Sequence, residues 1–260
     1  MDTPAAEADR YPEPGKLELI WGEGFMSPGG PTEIARILAG ADLTGMTVLD
    51  LGSGLGGADM ALVRNHGARH VTGADVQPEL VEQAAASARA RGLSDQISYR
   101  LIQPGLLPFP DAGFDAVFSK DAIIHVGDKA ALYAEIFRIL RPSGRLFVSD
   151  WLKGTGADAD ALAAEFVEAA GHPFHMVTLS DIAGIVRGAG FTEVRTEDRG
   201  TWYLGEAQAE LARLQGDMGR DFARRFGERA HADETDFWRV LLRVVGQGGM
   251  SPGHIRARKP

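Results

Sequence analysis

From Val48 the chain reads Val-Leu-Asp-Leu-Gly-Ser-Gly-Leu-Gly-Gly, and the next apolar run closes on Gly73-Ala74-Asp75. Glycines at 52, 54, 56 and 57 let a backbone turn tightly and let a ligand approach with no Cβ in the way. A carboxylate at 75, at the end of the following strand, can accept both hydroxyls of an adenosine ribose. Asp50 stands directly before the glycines. There it would repel a pyrophosphate and attract an ammonium group. A third chemical stretch is Ser119-Lys120-Asp121-Ala122-Ile123-Ile124-His125. If it forms a helical turn, Asp121 and His125 at i and i+4 share a face. Histidine titrates near neutrality and can take the proton from an ammonium, freeing a nitrogen lone pair. Gly52, Gly54 and Gly57 also satisfy G-x-G-x-x-G with Asp75 at the distance usual for a dinucleotide, so an NAD(P)-binding oxidoreductase stays open. The chain carries no Tyr-x-x-x-Lys. His172-Pro173-Phe174-His175 has no neighbouring acids to complete a metal site, and no metal is expected.

These residues need a frame. Pro31–Gly40 reads as a helix, with Pro31 in its first turn and Gly40 at its end. Thr47–Leu51 is a short buried strand, Ala58–His66 a helix, His70–Ala74 a strand and Glu79–Arg91 a helix closed by Gly92. Ile97–Ile102 and Phe114–Ser119 are further strands. Ala130–Leu140 is an amphipathic helix stopped by Arg141-Pro142-Ser143-Gly144, and Arg145–Asp150 is a fifth strand. This alternation specifies a parallel sheet covered on both faces. Beyond Asp150 come a helix over Ala157–Ala170, a helix over Ser180–Ala189 with Ser180 as its N-cap, and a half-buried strand over Phe191–Thr196. Glu206–Arg229 is a long helical stretch whose alternating charges predict a solvated face, Phe237–Val245 is an apolar helix, and His254–Arg258 predicts a closing edge strand.

VLDLGSGLGG, GAD, FDAVFSKDAIIHV and LRPSGRLFVSDW together resemble a class I S-adenosylmethionine-dependent methyltransferase. The upstream LIWGEGFMSPGG and the C-terminal stretch resemble the phosphoethanolamine N-methyltransferases and their bacterial small-molecule relatives. The likeness runs from Tyr11 almost to the end. It implies a doubly wound, mostly parallel seven-stranded sheet (a Rossmann-like methyltransferase fold) with helical lid insertions at about 156–176 and 205–235 and an N-terminal lid over residues 1–30. It implies S-adenosyl-L-methionine as cofactor. Gly52 and Gly54 with Asp50 would wrap the methionine part, and Met26 and Ser27 would close over it. Asp75 would hold the ribose, and Val76 would pack on the adenine. Gln103, followed by Pro104, stands where the family has an Asp that accepts from the adenine amino group, and an amide oxygen can accept the same bond. Lys120, also in the cofactor set, replaces an Arg. The resemblance makes His125 and Asp121 the catalytic pair, with Tyr11 closing over them. Trp151 and Phe174 stand where phosphobase methyltransferases carry tyrosines. Ring faces suit methylated ammonium groups, and the lost hydroxyls point to an acceptor without phosphate. N-methylation of a small amine is the expected reaction. C-methylation of an electron-rich ring is the nearest alternative.

Composition bounds these readings. The chain has 260 residues, 44% hydrophobic and 24% charged, with no Cys. That length supports one large core without disulfides or thiolate metal sites. Lys+Arg of 27 against Asp+Glu of 36 gives a net charge of −9, which disfavours nucleic acid as a partner. The first residues, MDTPAAEADRYPEPG, have neither the cationic nor the apolar part of a signal peptide. A cytoplasmic enzyme with no membrane insertion, monomeric or homodimeric, is expected.

Overall fold

The computed structural model of the chain describes residues 13–260; Tyr11 lies outside them. Two helices lead in, α1 (Pro14–Trp21) and α2 (Gly30–Leu38). Then strands and helices alternate: β1 (Thr47–Leu51), α3 (Gly57–His66), β2 (His70–Asp75), α4 (Pro78–Ala90), β3 (Ile97–Leu101), β4 (Phe114–Lys120), α5 (Lys129–Ile139) and β5 (Leu140–Lys153). A single 3-10 turn, Ile123–His125, lies between β4 and α5. The chain continues through α6 (Ala159–Ala170), α7 (Leu179–Gly188), β6 (Thr192–Asp198), α8 (Gly200–Leu214), α9 (Asp217–Phe226), α10 (Glu228–Gly246) and β7 (Met250–Arg258).

The seven strands form one sheet in the order β3-β2-β1-β4-β5-β7-β6. The first five are parallel, and β7 runs antiparallel between β5 and β6. This is the Rossmann-like methyltransferase architecture. The strands of a sheet covered on both faces must be apolar throughout, and Val48, Leu49, Ala116, Val117 and Phe118 are all buried. One face is closed by Tyr133, Ile136, Ile182 and Val186 of α5 and α7. The other is closed by Ile34, Ile37 and Leu62 of α2 and α3. A third cluster unites Ile20, Leu162, Phe166, Tyr203, Phe222 and Trp238, so α1, α6 and α8–α10 share a core of their own.

Four local expectations are corrected. The N-cap of α7 is Thr178, whose hydroxyl accepts from the Asp181 N–H in a reciprocal capping box, and Ser180 lies inside the helix. The segment around His254–Arg258 is interior to the sheet, and β6 is the edge. The stretch 206–229 is broken at Gln215-Gly216 and at Gly227, because glycines there end one helix before the next. Its charges are not all solvated: Glu210 is buried, accepting from the Trp21 and Trp238 indoles at 2.7 and 3.1 Å. That carboxylate ties α1, α8 and α10 together.

A buried ionic cluster fastens α2 to β7 and α8. Arg199 donates to both oxygens of Glu33 at 2.9 and 2.8 Å, and His254 Nε2 lies 2.8 Å from Glu33 Oε1. Arg256 donates to His254 Nδ1 at 3.1 Å. Burial pushes the Glu33 carboxyl up, but the hydrogen bonds and charges of His254 and Arg199 outweigh it and hold it at about 2. Its folded value lies below its unfolded one, so its stabilisation is complete above the ordinary carboxylate range and fades as pH falls toward 2. Glu33→Ala leaves Arg199 and His254 facing a void and should cost about 3–5 kcal/mol. Thermal melts should show the full deficit at pH 7.5 and a smaller one at pH 3.

Candidate active site

The parallel strands deliver their carboxyl ends to one edge, where a doubly wound sheet binds ligands. After β1 the chain turns at Gly52, where φ is +80°. The N–H groups of Gly52 and Ser53 donate to Ala74 O at 2.8 and 3.1 Å. Gly54 N–H donates to Asp75 Oδ2 at 2.9 Å, and Gln77 N–H donates to Asp75 Oδ1 at 3.0 Å. Asp75 therefore orders the loop and keeps further lone pairs for hydroxyl donors. Burial raises its carboxyl despite the pull of those N–H groups.

The glycines serve more than ligand approach. A Cβ on Gly52 would lie 2.2 Å from that of Ala122, and one on Gly56 would lie 2.2 Å from the Tyr99 hydroxyl. Gly57 donates its N–H to Gly24 O at 3.0 Å, and a Cβ there would press on Gly24 at 2.5 Å. That close approach seats the Gly24–Pro28 segment on the loop, with the Met26 sulfur facing Gly54. A cavity open to solvent results, walled by Met26, Ser27, Asp50, Gly52, Gly54 and Lys120 among others. Six residues of the expected cofactor set thus meet around one space. Val76 and Gln103 are exposed at the ends of β2 and β3, outside that wall, and so is Pro104. Leu101, which the sequence reading passed over, is exposed near Val76, in register with Asp75 across β2 and β3.

Asp50 is 1% exposed, and its Oδ2 has no hydrogen-bond partner. Behind it lies Asp59, fully buried, with the Tyr99 hydroxyl alongside. These groups touch without well-aligned hydrogen bonds. Burial, then the Asp59 charge, pushes the Asp50 carboxyl well above its usual range. Burial likewise lifts Asp59 to about 7, against the pull of the neighbouring Asp50 and Tyr99. An orphaned carboxylate oxygen in the wall of a glycine-lined cavity fits a cationic group such as the ammonium of a methionine moiety. Sequence reasoning missed Asp59 and Tyr99, because nothing in their spacing shows that they sit under the loop.

The pair Asp121 and His125 does not share a helical face. Asp121 has φ of +57°, and the 3-10 turn starts only at Ile123. A left-handed residue interrupts the helix that the i, i+4 reading assumed. Asp121 is held by Lys120 Nζ at 2.6 Å and by Ser149 Oγ at 3.2 Å. Lys120 Nζ also donates to Ser27 Oγ at 2.6 Å, so its ammonium ties the 24–28 segment to the sheet edge. His125 is half-buried, its ring 5.2 Å from that of Phe174, which stacks on Phe166. Trp151 meets Tyr203 edge to face at 4.6 Å. Beneath the turn, Asp150 accepts the Ile124 N–H at 3.0 Å. Burial lifts Asp150 to about 7, with Lys129 pulling down and Asp121 pushing up. No group of three or more His, Asp or Glu among the described residues is placed to hold a metal ion, and no described helix is long and apolar enough to cross a membrane.

Residues 49–148 match a family model described as a methyltransferase domain. A phosphoethanolamine N-methyltransferase of Triticum aestivum is 30% identical over 89% of this chain and 45% of its own length. The corresponding protein of Plasmodium falciparum is 27% identical over 97% of this chain and 94% of its own. This chain thus spans about half the length of the wheat relative. A solved phosphoethanolamine N-methyltransferase 2 of Haemonchus contortus, in complex with phosphomonomethylethanolamine and S-adenosylhomocysteine, superposes with a TM-score of 0.87. It is 25% identical, and the match covers 95% of this chain and 57% of that one.

The acid pair under the loop generates a stability test. A folded-state value near 7 for Asp59 exceeds the unfolded one, so stability falls as pH rises from about 4 to 7. Asp59→Asn removes the charge and lets an amide donate to Asp50. In the ligand-free protein it should raise Tm at pH 8 by at least about 2–4 °C, the shift of roughly 1 kcal/mol at this chain length. The gain should shrink at pH 5. A gain independent of pH in differential scanning calorimetry would contradict the assignment.

Proposed function

The chain belongs to the class I S-adenosylmethionine-dependent methyltransferases, on the phosphoethanolamine N-methyltransferase-like branch, and from that premise we propose that it methylates the nitrogen of a small amine. The observation that carries the proposal is the orphaned Asp50 oxygen in the cavity beside Gly52 and Gly54. The cofactor supplies a methyl group on a sulfonium. Asp50 would receive its ammonium, Asp75 would accept from its ribose hydroxyls, Val76 and Leu101 would flank its adenine, and Gln103, beside Pro104, would accept from the adenine amino group. Met26 and Ser27 cover the site, and Lys120 fixes Ser27. Most of the rate comes from holding amine and methyl in line. His125 removes the ammonium proton. Asp121 attracts the cation, and Phe174 and Trp151 offer ring faces to it. Tyr11, expected as the third catalytic residue, lies outside the described residues.

An amine without phosphate is favoured as acceptor. Trp151 and Phe174 provide no hydroxyl, and the Lys120 ammonium is committed to Asp121 and Ser27. A cytoplasmic setting, with neither nucleic acid nor membrane as partner, completes the proposal.

Two measurements test it. In thermal-shift titration, S-adenosylhomocysteine should stabilise the protein and NADH should not. Labelled methyl transfer should be faster to ethanolamine or 2-phenylethylamine than to phosphoethanolamine, and absent with resorcinol as a carbon nucleophile. His125→Ala should lower the rate on the amine by about 10²-fold or more and abolish the rise in rate through neutral pH. Methylation of resorcinol alone, or a His125→Ala variant with full activity, would overturn the reading.

A further inference from the structure

We propose that Asp150 and Lys129 are positioning residues that set His125 in place by gripping, from two sides, the short turn that carries it. Both lie outside the wall of the cofactor cavity. Asp150, near the end of β5, is 1% exposed, and its Oδ1 accepts the Ile124 N–H at 3.0 Å. Lys129, at the start of α5, is 4% exposed. Its Nζ donates to Ile123 O at 2.6 Å and to Val126 O at 3.1 Å. His175 N–H adds a third tie, to Ile124 O at 2.8 Å.

The chemistry of the grip is directional. A buried carboxyl oxygen meets a peptide N–H and a buried ammonium meets two carbonyls, so each group lies at the end of a peptide dipole that suits it. Neither charge would be buried for stability alone, since apolar residues of similar volume do as well or better. What the two charges share is a three-residue segment whose side chains include His125. The preceding residue on β5 extends the same device to the other candidate catalytic group. Ser149 O accepts the Asp121 N–H at 2.8 Å, and its hydroxyl donates to Asp121 Oδ1 at 3.2 Å. Adjacent residues of one strand thus space Asp121 and His125, replacing the continuous helix that the chain does not form.

This inference rests on the reading of His125 as proton acceptor, and a double-mutant cycle separates the two. Methyl transfer to ethanolamine, 2-phenylethylamine and phosphoethanolamine is measured for His125→Ala, Asp150→Ala and the double variant, with S-adenosylhomocysteine affinity by calorimetry and Ile124 amide exchange by NMR. Asp150→Ala should lower kcat about ten-fold or more and speed Ile124 exchange by a similar factor, while cofactor affinity stays within about three-fold. The double variant should be no slower than His125→Ala, since residues acting through one group are non-additive. Asp150→Asn keeps an oxygen for the Ile124 N–H and should recover most of both losses. Should Asp150→Ala fail to fold, Lys129→Met should give the same kcat-selective defect. Additive losses, an unchanged kcat in Asp150→Ala, or Ile124 exchange as slow as in the parent protein would overturn the inference alone. A fully active His125→Ala would sink the proton-acceptor reading instead.

Discussion

A charge taken out of water must meet an opposite charge or a hydrogen-bond donor, or the fold carries its desolvation cost. The carboxyl edge of this sheet is organised around that constraint. Asp50, Asp75, Asp121 and Asp150 all stand at or just beyond the ends of neighbouring strands, and each is largely removed from solvent. Asp75 is met by two backbone N–H groups, Asp121 by Lys120, and Asp150 by the N–H of Ile124. Asp50 and Asp150 each keep a buried oxygen without a partner, and of the two only Asp50 lines the cavity. The same row explains why glycines crowd the adjoining loop. Side chains there would displace Ala122 and Tyr99, which pack under and beside the acids.

Much of this frame was legible in the chain. The apolar run before the glycines, Asp75 after the next run, and the regular return of helix signals led directly to β1, β2 and the parallel half of the sheet. The helix signals at Pro31 and over Glu79–Arg91 are local chemistry, and local chemistry survives folding. One misreading is local: Thr178 displaces Ser180 as a cap because Asp181 stands three residues after it. The others share a cause, in that long-range partners chose between equal local options. Glu210 looked like one more exposed charge until two indoles from distant helices were brought to it. The spacing of Asp121 and His125 suggested a helix, but Asp121 is pinned by Ser149 and Lys120 in a conformation no helix allows.

The candidate site is legible to the same degree. Six residues of the expected cofactor set line one cavity, because a motif is a local geometry and the sheet edge presents it intact. Its supporting members, Asp59, Tyr99, Asp150 and Lys129, are scattered over some ninety positions, and of them only Asp150 falls within one of the quoted stretches. Their place beneath the loop and the turn comes from the fold.

The antiparallel strand β7 leaves one more mark on the molecule. It follows β6 in the chain, yet it separates β6 from β5 in the sheet. During synthesis the five parallel strands can assemble while β6 has no neighbour to join. The flank of β5 stays open until Met250–Arg258 emerges, and an unpaired flank invites pairing with other chains. The ribosome thus holds back the piece that seals the sheet, and a nascent chain stalled before it would be the form most in need of a chaperone.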